Sequence, residues 1–404
     1  MDGNQKNAIY QVKEGNAKIM KFIFPIICFI LNGLVAEIYP LAQKPFLEGL
    51  NPSDGFARGT FLIIVASSDL EDILNTDSEY IGNFIHFKQT QGFDVDVWNF
   101  QDYSDREDLR DSLATYYSEN PLLEYVLLIG DVESTNFAIP SFEIPSYNEP
   151  GQDDVTDYEY TYSNESIYEP QFFIGRWPIQ ASSDLINIKA RTIQYSLMEN
   201  IDNKSFLDNS LIVAGNYKTA DGAEVDPQYW PVTPRWTSLW IQDRLENELS
   251  LNADTVFFWQ ENTTVNNPAI ANLWNAGVGL VNYRGWGNAT GWIKPEFKRE
   301  NIDELTNGWK LPIVFSYVCN TGDFGNDTYQ SGFGEKLLFA GSFTAPRGAA
   351  AMIGPSDLDT DTRFNNVICG LMWDALLDGT APELAQALHF GKHGLIYEFS
   401  GLSA

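Results

Sequence analysis

Short apolar runs alternate with amphipathic segments along most of the chain. In the first half, four runs predict buried strands: TFLIIVASS, FDVDVW, YVLLIGD and QFFIGRWP. Apolar residues at helical spacing predict helices between or after them, around Glu79 to Gln91, at REDLRDSLATYY and at SSDLINIKARTIQYSLMEN. Ser182 or Ser183 is the predicted N-cap of the last helix, because a serine side chain can accept a hydrogen bond from a free N–H of the first turn.

A second series with the same alternation begins near residue 208. Its predicted strands are SLIVAG, TVFFW, VGLVNY, LPIVFSYVC and GAAAMIGPS, with helices between most of them. Strands that alternate with helices favour parallel sheets with right-handed crossovers. We therefore predict a three-layer α/β/α protein with mainly parallel sheets in two subdomains, residues 37–205 and 206–404. The acidic stretch 151–170 is predicted to be a surface loop.

The N-terminal region has the pattern of an export signal. Lys18 and Lys21 precede the apolar run FIFPIICFILNGLVA, which is too short for a membrane-spanning helix and is typical of a secretory signal peptide. We predict that residues 1–36 are a leader, that translation starts at Met20, and that the mature protein is secreted or held at the cell surface without a membrane segment. A retained membrane anchor is the alternative.

Composition excludes one class of partner and supports a large core. The chain carries 55 acidic and 25 basic residues, a formal net charge of −30. Such a field repels phosphate backbones, so we exclude nucleic-acid binding. A hydrophobic content of 44% over 404 residues is enough to bury the core of a large α/β protein. Oligomeric state is left open.

Two cysteines remain once the leader, which contains Cys28, is set aside. Cys319 follows the apolar run IVFSYV and opens NTGDFG, which places it at the carboxyl end of a strand, where parallel sheets bind ligands. As a nucleophile it would attack a carbonyl carbon, and the backbone N–H groups of Gly285 or Gly322 could stabilise the oxyanion. The alternative is a buried thiol that packs as a small apolar side chain. Cys369, in NNVICGLMW, is predicted to lie in the core.

Four segments together resemble the gingipain family of cysteine peptidases. They are YVLLIGDV, FFIGRWPIQASSDLINIKARTIQY, NYRGWG and VFSYVCNTGDF, and the resemblance extends from about residue 60 to about residue 390. It implies a caspase-like fold, protein or peptide substrates and Cys319 as the nucleophile, with no cofactor required for the chemistry. The family carries its histidine in a Tyr-x-Gly-His-Gly loop, and in this chain Trp286 stands at that position.

No histidine of this chain matches the missing one. His86 is predicted on an exposed helix, and His389 and His393 are four residues apart on a C-terminal helix, a spacing that fits a polar helix face or, more weakly, a metal site. Loss of a general acid–base lowers rates by about 10² to 10⁴-fold. Asp323 and Tyr283 are the candidates to replace it.

Three interpretations therefore stay open. The chain is an endopeptidase with an unrecognised base, or a catalytically inactive pseudopeptidase that binds a peptide or a surface partner. A flavodoxin-like small-molecule site is the third, although no phosphate-binding glycine turn follows FLIIVASS.

The stretch DLDTDT contains alternating aspartates, Asp357, Asp359 and Asp361, as some calcium loops do. The EF-hand pattern fails, because the sixth position is not glycine and the twelfth is Ile368. These residues are weak calcium candidates, and the resemblance implies structural calcium without assigning its ligands. A solvated loop is one alternative, and a pocket wall that favours a basic substrate side chain is another.

Overall fold

A computed structural model of the chain describes most of the sequence from residue 36 onward. The described residues are 36–77, 82–134, 136–147, 149, 151–162, 169–199, 201–215, 234–258, 267–326, 328 and 331–399. The predicted start at Met20, the signal-like apolar run and Cys28 lie outside them, apart from Ala36 at the end of the run.

The first subdomain is built on a four-stranded parallel sheet in the order β4-β3-β5-β8. Its elements along the chain are β1 (Ile38–Pro40), β2 (Gly55–Ala57), β3 (Thr60–Val65), α1 (Asp69–Asn75), α2 (Phe84–Thr90), β4 (Asp94–Asn99), α3 (Arg106–Glu119), β5 (Leu123–Ile129), β6 (Phe142–Pro145), β7 (Asp153–Thr156), β8 (Phe173–Trp177) and α4 (Ser182–Leu197). Five consecutive residues of β3 are buried, as expected for a strand covered on both faces. The predicted strand and helix order of this half is confirmed.

The second subdomain is built on a five-stranded parallel sheet in the order β10-β9-β11-β15-β18. Its elements are β9 (Asn209–Ala214), α5 (Pro234–Glu248), β10 (Asn252–Phe257), α6 (Asn267–Ala276), β11 (Leu280–Arg284), β12 (Gly287–Asn288), β13 (Gly291–Ile293), β14 (Glu296–Lys298), α7 (Arg299–Asp303), β15 (Ile313–Ser316), α8 (Phe333–Phe339), β16 (Gly341–Ser342), β17 (Ala345–Pro346), β18 (Ala351–Ile353), α9 (Thr362–Leu377) and α10 (Leu384–Phe399). Alternate side chains enter different cores on its two faces. Leu211 and Val213 pack with Trp292, whereas Ile212 packs with Phe315 and Trp373, so the sheet is the middle of three layers.

Two local predictions were wrong. The acidic stretch 151–170 is not all loop, because β7 pairs with β6 as an antiparallel hairpin and Tyr160, in the 3₁₀ turn that follows, is buried with its hydroxyl donating to the Pro140 carbonyl. The N-cap of α4 is Ala181 and neither serine. The carboxylate of Asp184 accepts the Ala181 N–H at 2.9 Å, which is the capping-box hydrogen bond supplied by the third helical residue, whereas the alanine side chain accepts none.

Buried and half-buried charged side chains connect the two halves of the chain. Arg191, on α4, donates to the carbonyls of Leu337 and Ala340 at the C-terminal end of α8. Arg58, beside β2, forms ion pairs with Glu124 on β5 and with Glu383 just before α10. The C-terminal helix α10 therefore packs against the first subdomain as well as against α9. Among the described residues, no helix combines the length and apolarity needed to cross a membrane.

Candidate active site

The two motif loops leave neighbouring strands of the second sheet at the same edge. In the parallel pair formed by β11 and β15, Tyr283 lies opposite Ser316. Trp286 and Cys319 each follow three residues after this pair. Since parallel strands end at a common edge, the register brings together the loops that carry Trp286 and Cys319. The sequence predicted that Cys319 lies at such a strand end, and the family resemblance implied that the Trp286 loop lies at the end of an adjacent strand.

The Tyr283 side chain fixes the Trp286 loop through hydrogen bonds to its backbone. The Tyr283 hydroxyl donates to the Trp286 carbonyl at 2.7 Å and accepts its N–H at 3.2 Å, while its ring stacks on Trp292 with centroids 4.4 Å apart. A Cβ on Gly285 would lie 2.5 Å from the Tyr283 hydroxyl oxygen, so the loop requires glycine there. The Trp286 indole itself is 44% exposed, with the Lys294 ammonium 5.9 Å from its centroid. Trp286 is therefore a surface group of the loop and not part of the core.

The Cys319 loop is fixed by backbone contacts to the segment after β18. Asn320 has a left-handed conformation, with φ of 57°, and its N–H donates to the Asp357 carbonyl at 2.9 Å. The N–H of Gly322 donates to the Pro355 carbonyl at 2.9 Å. In this arrangement the Gly322 N–H is already used, so the structure does not support its predicted role as an oxyanion donor. The corresponding role of Gly285 stays a prediction.

Sequence analysis missed the side chain that contacts the cysteine sulfur. The Thr360 hydroxyl donates to Cys319 Sγ at 3.3 Å, and the Asn365 side-chain amide donates to the Thr360 hydroxyl oxygen at 2.9 Å. Cys319 itself is half-buried and unpaired. Thr360 is 41 residues from Cys319 along the chain, and no local sequence pattern connects the two.

The histidines lie elsewhere. His86 is exposed on α2, as predicted. His389 and His393 pack ring against ring with centroids 4.1 Å apart, and His389 lies 4.8 Å from Phe46. The polar-face interpretation was wrong, because His389 is buried among aromatic rings, and that burial lowers its pKa to about 2. His389 is therefore a neutral side chain of the interface between α10 and the N-terminal segment.

The two candidate replacement bases are both engaged in other contacts. The Asp323 carboxylate accepts hydrogen bonds from within its own loop, from the side-chain amides of Asn320 and Asn326 and from the N–H of Gly325. Tyr283 is fully buried beneath the Trp286 loop, where its hydroxyl contacts backbone carbonyls. Neither group is hydrogen-bonded to the Cys319 sulfur, so the structure does not support the sequence hypothesis for either.

The three aspartates of DLDTDT do not converge on one point. Asp357 accepts from the Ser146 hydroxyl at 3.1 Å and from the Asp359 N–H at 2.6 Å. Asp361 caps α9 and forms an ion pair with Arg363 at 2.8 Å. No His, Cys, Asp or Glu group of three or more that could hold a metal ion occurs in the part of the chain that the structure describes. In this arrangement Asp357, Asp359 and Asp361 do not form a calcium site.

The edge of the site beside Cys319 is nonetheless strongly acidic. One oxygen of Asp154, on the β6–β7 hairpin, is buried without a hydrogen-bond partner. Burial first, and then the negative charge of Asp357, raises the pKa of Asp154 to about 6. Asp323 and Asp359 add to the same field. A positively charged group beside Asp154 would relieve this repulsion.

The second cysteine is inert, as predicted. Cys369 lies on α9 with no exposed surface, and burial raises the pKa of its thiol to about 12. A thiol that stays protonated in an apolar core is not a nucleophile. The candidate chemistry therefore rests on Cys319.

Comparison with known proteins identifies the family from the sequence and the fold from the structure. The sequence model of peptidase family C25 matches residues 57–401. Gingipain R2 of Porphyromonas gingivalis strain W83 is 25% identical over 331 residues, which cover 79% of this chain and 40% of that protein. Gingipain R1 of Porphyromonas gingivalis is 27% identical over 263 residues, 63% of this chain and 24% of that protein. The chain thus spans less than half the length of these relatives.

The fold agrees with that assignment. The crystal structure of the Arg-specific cysteine proteinase gingipain R superimposes with a TM-score of 0.66 at 21% identity, covering 85% of this chain and 73% of that one. This likeness identifies the architecture as the caspase-like α/β fold predicted from the motifs. Because the family match extends over most of the chain, we conclude that the protein belongs to peptidase family C25, a family of cysteine peptidases.

Proposed function

We propose that the protein is an exported cysteine endopeptidase in which Cys319 is the nucleophile. The observation that carries the proposal is the position of Cys319, half-exposed at the carboxyl edge of a parallel sheet, with the Thr360 hydroxyl donating to its sulfur at 3.3 Å. The leader-like sequence before residue 37 supports export. Peptide substrates follow from membership of the family.

The reaction forms and breaks two bonds at one carbonyl carbon. After the thiol proton is lost to water, Cys319 Sγ bonds to the carbonyl carbon and an electron pair moves to the carbonyl oxygen. When the intermediate collapses, the carbon–nitrogen bond breaks and the amine leaves with a proton from water. A water molecule then hydrolyses the thioester, which releases a carboxylic acid and restores the thiol. Without an imidazole at the Trp286 position, water supplies both proton transfers, so we expect slow turnover.

The acidic edge favours a substrate with a basic side chain next to the cleaved bond. Asp154 has a buried carboxylate oxygen without a partner, and Asp357 and Asp359 lie close enough to raise its pKa. A lysine or arginine side chain would neutralise this cluster. Gingipain R, whose structure this chain resembles, is an Arg-specific proteinase, and this supports the same preference here.

The test is hydrolysis of fluorogenic peptides that differ only in the residue before the cleaved bond. We expect slow cleavage after arginine or lysine and none after glutamate, with activity abolished in Cys319→Ala and the basic preference weakened in Asp154→Asn. Activity that survives in Cys319→Ala would reject the proposal.

A peptide-binding scaffold is the second candidate, and the exposed indole of Trp286 favours it. An indole cannot take or give the proton that the family's histidine handles, whereas its exposed face can pack on a peptide. If the parent protein hydrolyses no peptide and Trp286→His does so in a way that requires Cys319, the protein is a pseudopeptidase. Tight peptide binding that is unchanged in Cys319→Ala, with no turnover in any variant, would establish the scaffold.

A further inference from the structure

A two-step hydrogen-bond chain leads from a helix start to the sulfur of Cys319. Asn365 lies in the first turn of α9 and is 7% exposed, and its side-chain amide donates to the Thr360 hydroxyl oxygen at 2.9 Å. Thr360 in turn donates to Cys319 Sγ at 3.3 Å. Because Asn365 donates to the Thr360 oxygen, the hydroxyl hydrogen of Thr360 is free to point toward the sulfur.

We propose that Thr360 and Asn365 form the group that stabilises the reactive, anionic form of Cys319 in this chain. The inference rests on the proposed role of Cys319 as the nucleophile. Thr360 contacts the reacting atom, and Asn365 is a positioning residue that orients Thr360. A donated hydrogen bond is stronger to a thiolate than to a thiol, so this chain of donors favours the thiolate.

The geometry of α9 acts in the same direction. Thr360 immediately precedes Asp361, the N-cap of this 16-residue helix, so the sulfur that Thr360 contacts lies close to a helix N-terminus. The partial positive charge at a helix N-terminus stabilises nearby anions. The carboxylate of Asp361 opposes this effect only partly, because Arg363 pairs with it at 2.8 Å. The carboxylates of the acidic edge, Asp323, Asp357 and Asp359, also oppose it.

A catalytic imidazole both accepts the thiol proton and stabilises the thiolate, and the chain of donors performs only the second role. It stabilises negative charge on sulfur, but a threonine hydroxyl that donates to sulfur does not accept the thiol proton, which leaves to water. The arrangement therefore predicts a thiol whose reaction with a simple electrophile depends on Thr360, in a protein that cleaves peptides slowly. Thiol reactivity and peptide cleavage are separable, and only the first depends on this inference.

The test is the rate at which iodoacetamide alkylates Cys319 in the full chain at pH 7, resolved by mass spectrometry of the Cys319 peptide. In this reaction the thiolate displaces iodide and forms a carbon–sulfur bond. Thr360→Val removes the hydroxyl and keeps the side-chain shape, and we expect the rate to fall about threefold to tenfold, the equivalent of one hydrogen bond. Thr360→Ser should restore the rate to within about twofold of the parent.

Two further variants and one internal reporter complete the design. Asn365→Ala should slow alkylation in the same direction as Thr360→Val. Thr115→Val makes the same change on the exposed face of α3 in the other subdomain and should leave the rate unchanged. Cys369 reports folding, since it is buried and should resist alkylation in every folded variant. If Thr360→Val does not fold, Thr360→Ala and Asn365→Ala carry the comparison.

Two results would overturn the inference: an unchanged rate in folded Thr360→Val, or a loss in Thr360→Ser as large as that in Thr360→Val. Alkylation that depends on Thr360, in a protein that cleaves no peptide, would support the donor chain while rejecting the peptidase proposal.

Discussion

The Tyr283 hydroxyl donates to the Trp286 carbonyl at 2.7 Å, so a buried ring of the sheet holds the loop in which the family's histidine is replaced. The same hydroxyl lies 3.1 Å from the Lys294 carbonyl, beyond the short strands that follow Trp286. One side chain therefore ties both ends of the 286–294 segment to β11. The Tyr283 hydroxyl thus fixes the backbone from which the 44% exposed Trp286 side chain projects.

Removal of this hydroxyl should loosen the loop without emptying the core. In Tyr283→Phe the stacking on Trp292 is kept, while buried carbonyls lose a donor, so we expect the free energy of unfolding to fall by about 1 to 2 kcal/mol in urea titrations. Acrylamide should also quench indole fluorescence more strongly, because Trp286 moves more freely. Tyr397→Phe, at an exposed position of α10, is the control. Unchanged stability and quenching would show that the Trp286 loop keeps its conformation without the Tyr283 hydroxyl.

The Cys319 loop should be intolerant of a methyl group at Gly322. A Cβ there would lie 2.2 Å from the Gly354 carbonyl oxygen, so Gly322→Ala must displace one of the two segments. We expect a loss of about 1 to 3 kcal/mol in stability and a changed alkylation rate at Cys319. Gly175→Ala is the matched control, since nothing lies within 4 Å of its Cβ position on β8. Equal stabilities of the two variants would contradict this account of the loop.

Glu335 predicts a loss of stability as the pH rises. Its side chain is 4% exposed on α8, one oxygen accepts the Gly332 N–H and the other has no partner. Burial, reinforced by the charge of Asp131, raises its pKa well above the ordinary value of 4.5. The folded protein therefore holds a proton that the unfolded chain has released, and stability should decline as the pH rises above about 4.5 until the raised pKa is passed.

Glu335→Gln removes this proton, so its stability should depend less on pH than that of the parent. Between pH 5 and pH 8, the urea midpoint of the parent should fall relative to that of Glu335→Gln. Glu133→Gln, at an exposed position, should follow the parent at every pH. Parallel pH profiles for the parent and Glu335→Gln would show that Glu335 is ionised in the folded protein.

His389 predicts the opposite pH dependence. Burial lowers its pKa to about 2 from an ordinary value of 6.5, so the unfolded chain binds a proton that the folded chain excludes. Stability should fall as the pH drops below 6.5, by about 1 to 2 kcal/mol at pH 5. His389→Phe, which fits the aromatic surroundings of Phe46, should flatten the profile, and His86→Phe at an exposed site should not. If the parent and His389→Phe lose stability equally as the pH falls, the group that titrates is not His389.

The position of Cys319 could be predicted from the sequence because the end of a strand is marked by residues close together in the chain. The apolar run before Cys319 and the glycines after it place the thiol at the end of a strand, and the same argument places Trp286 just after the end of another. That the two strands are neighbours was implied by the family resemblance and is shown by their pairing. Both predictions depend on the spacing of apolar residues and on turn-forming residues, which are patterns that extend over only a few positions.

The contacts that complete the site are not local, and the sequence alone did not indicate them. Thr360 reaches Cys319 across 41 residues, and Asp357 joins the hairpin around Ser146 across 211. The hairpin itself was missed because each of its strands is only four residues long, and because its burial rests on Phe142 and on Tyr160 in the turn that follows. The serine cap was predicted wrongly because the helix already begins at Ser182, which leaves Ala181 as the N-cap with its N–H donating to Asp184.

The contact between Phe46 and His389 brings together two segments that lie near opposite ends of the described chain. Ala42 joins them more firmly, since its carbonyl accepts from Gln386 and its N–H donates to Glu124. The polypeptide thus forms a ring closed by noncovalent contacts. A single backbone cut in the segment between the subdomains, around residues 201–208, would leave two fragments that are still fastened to each other. Such fragments, expressed separately, should reassemble on mixing.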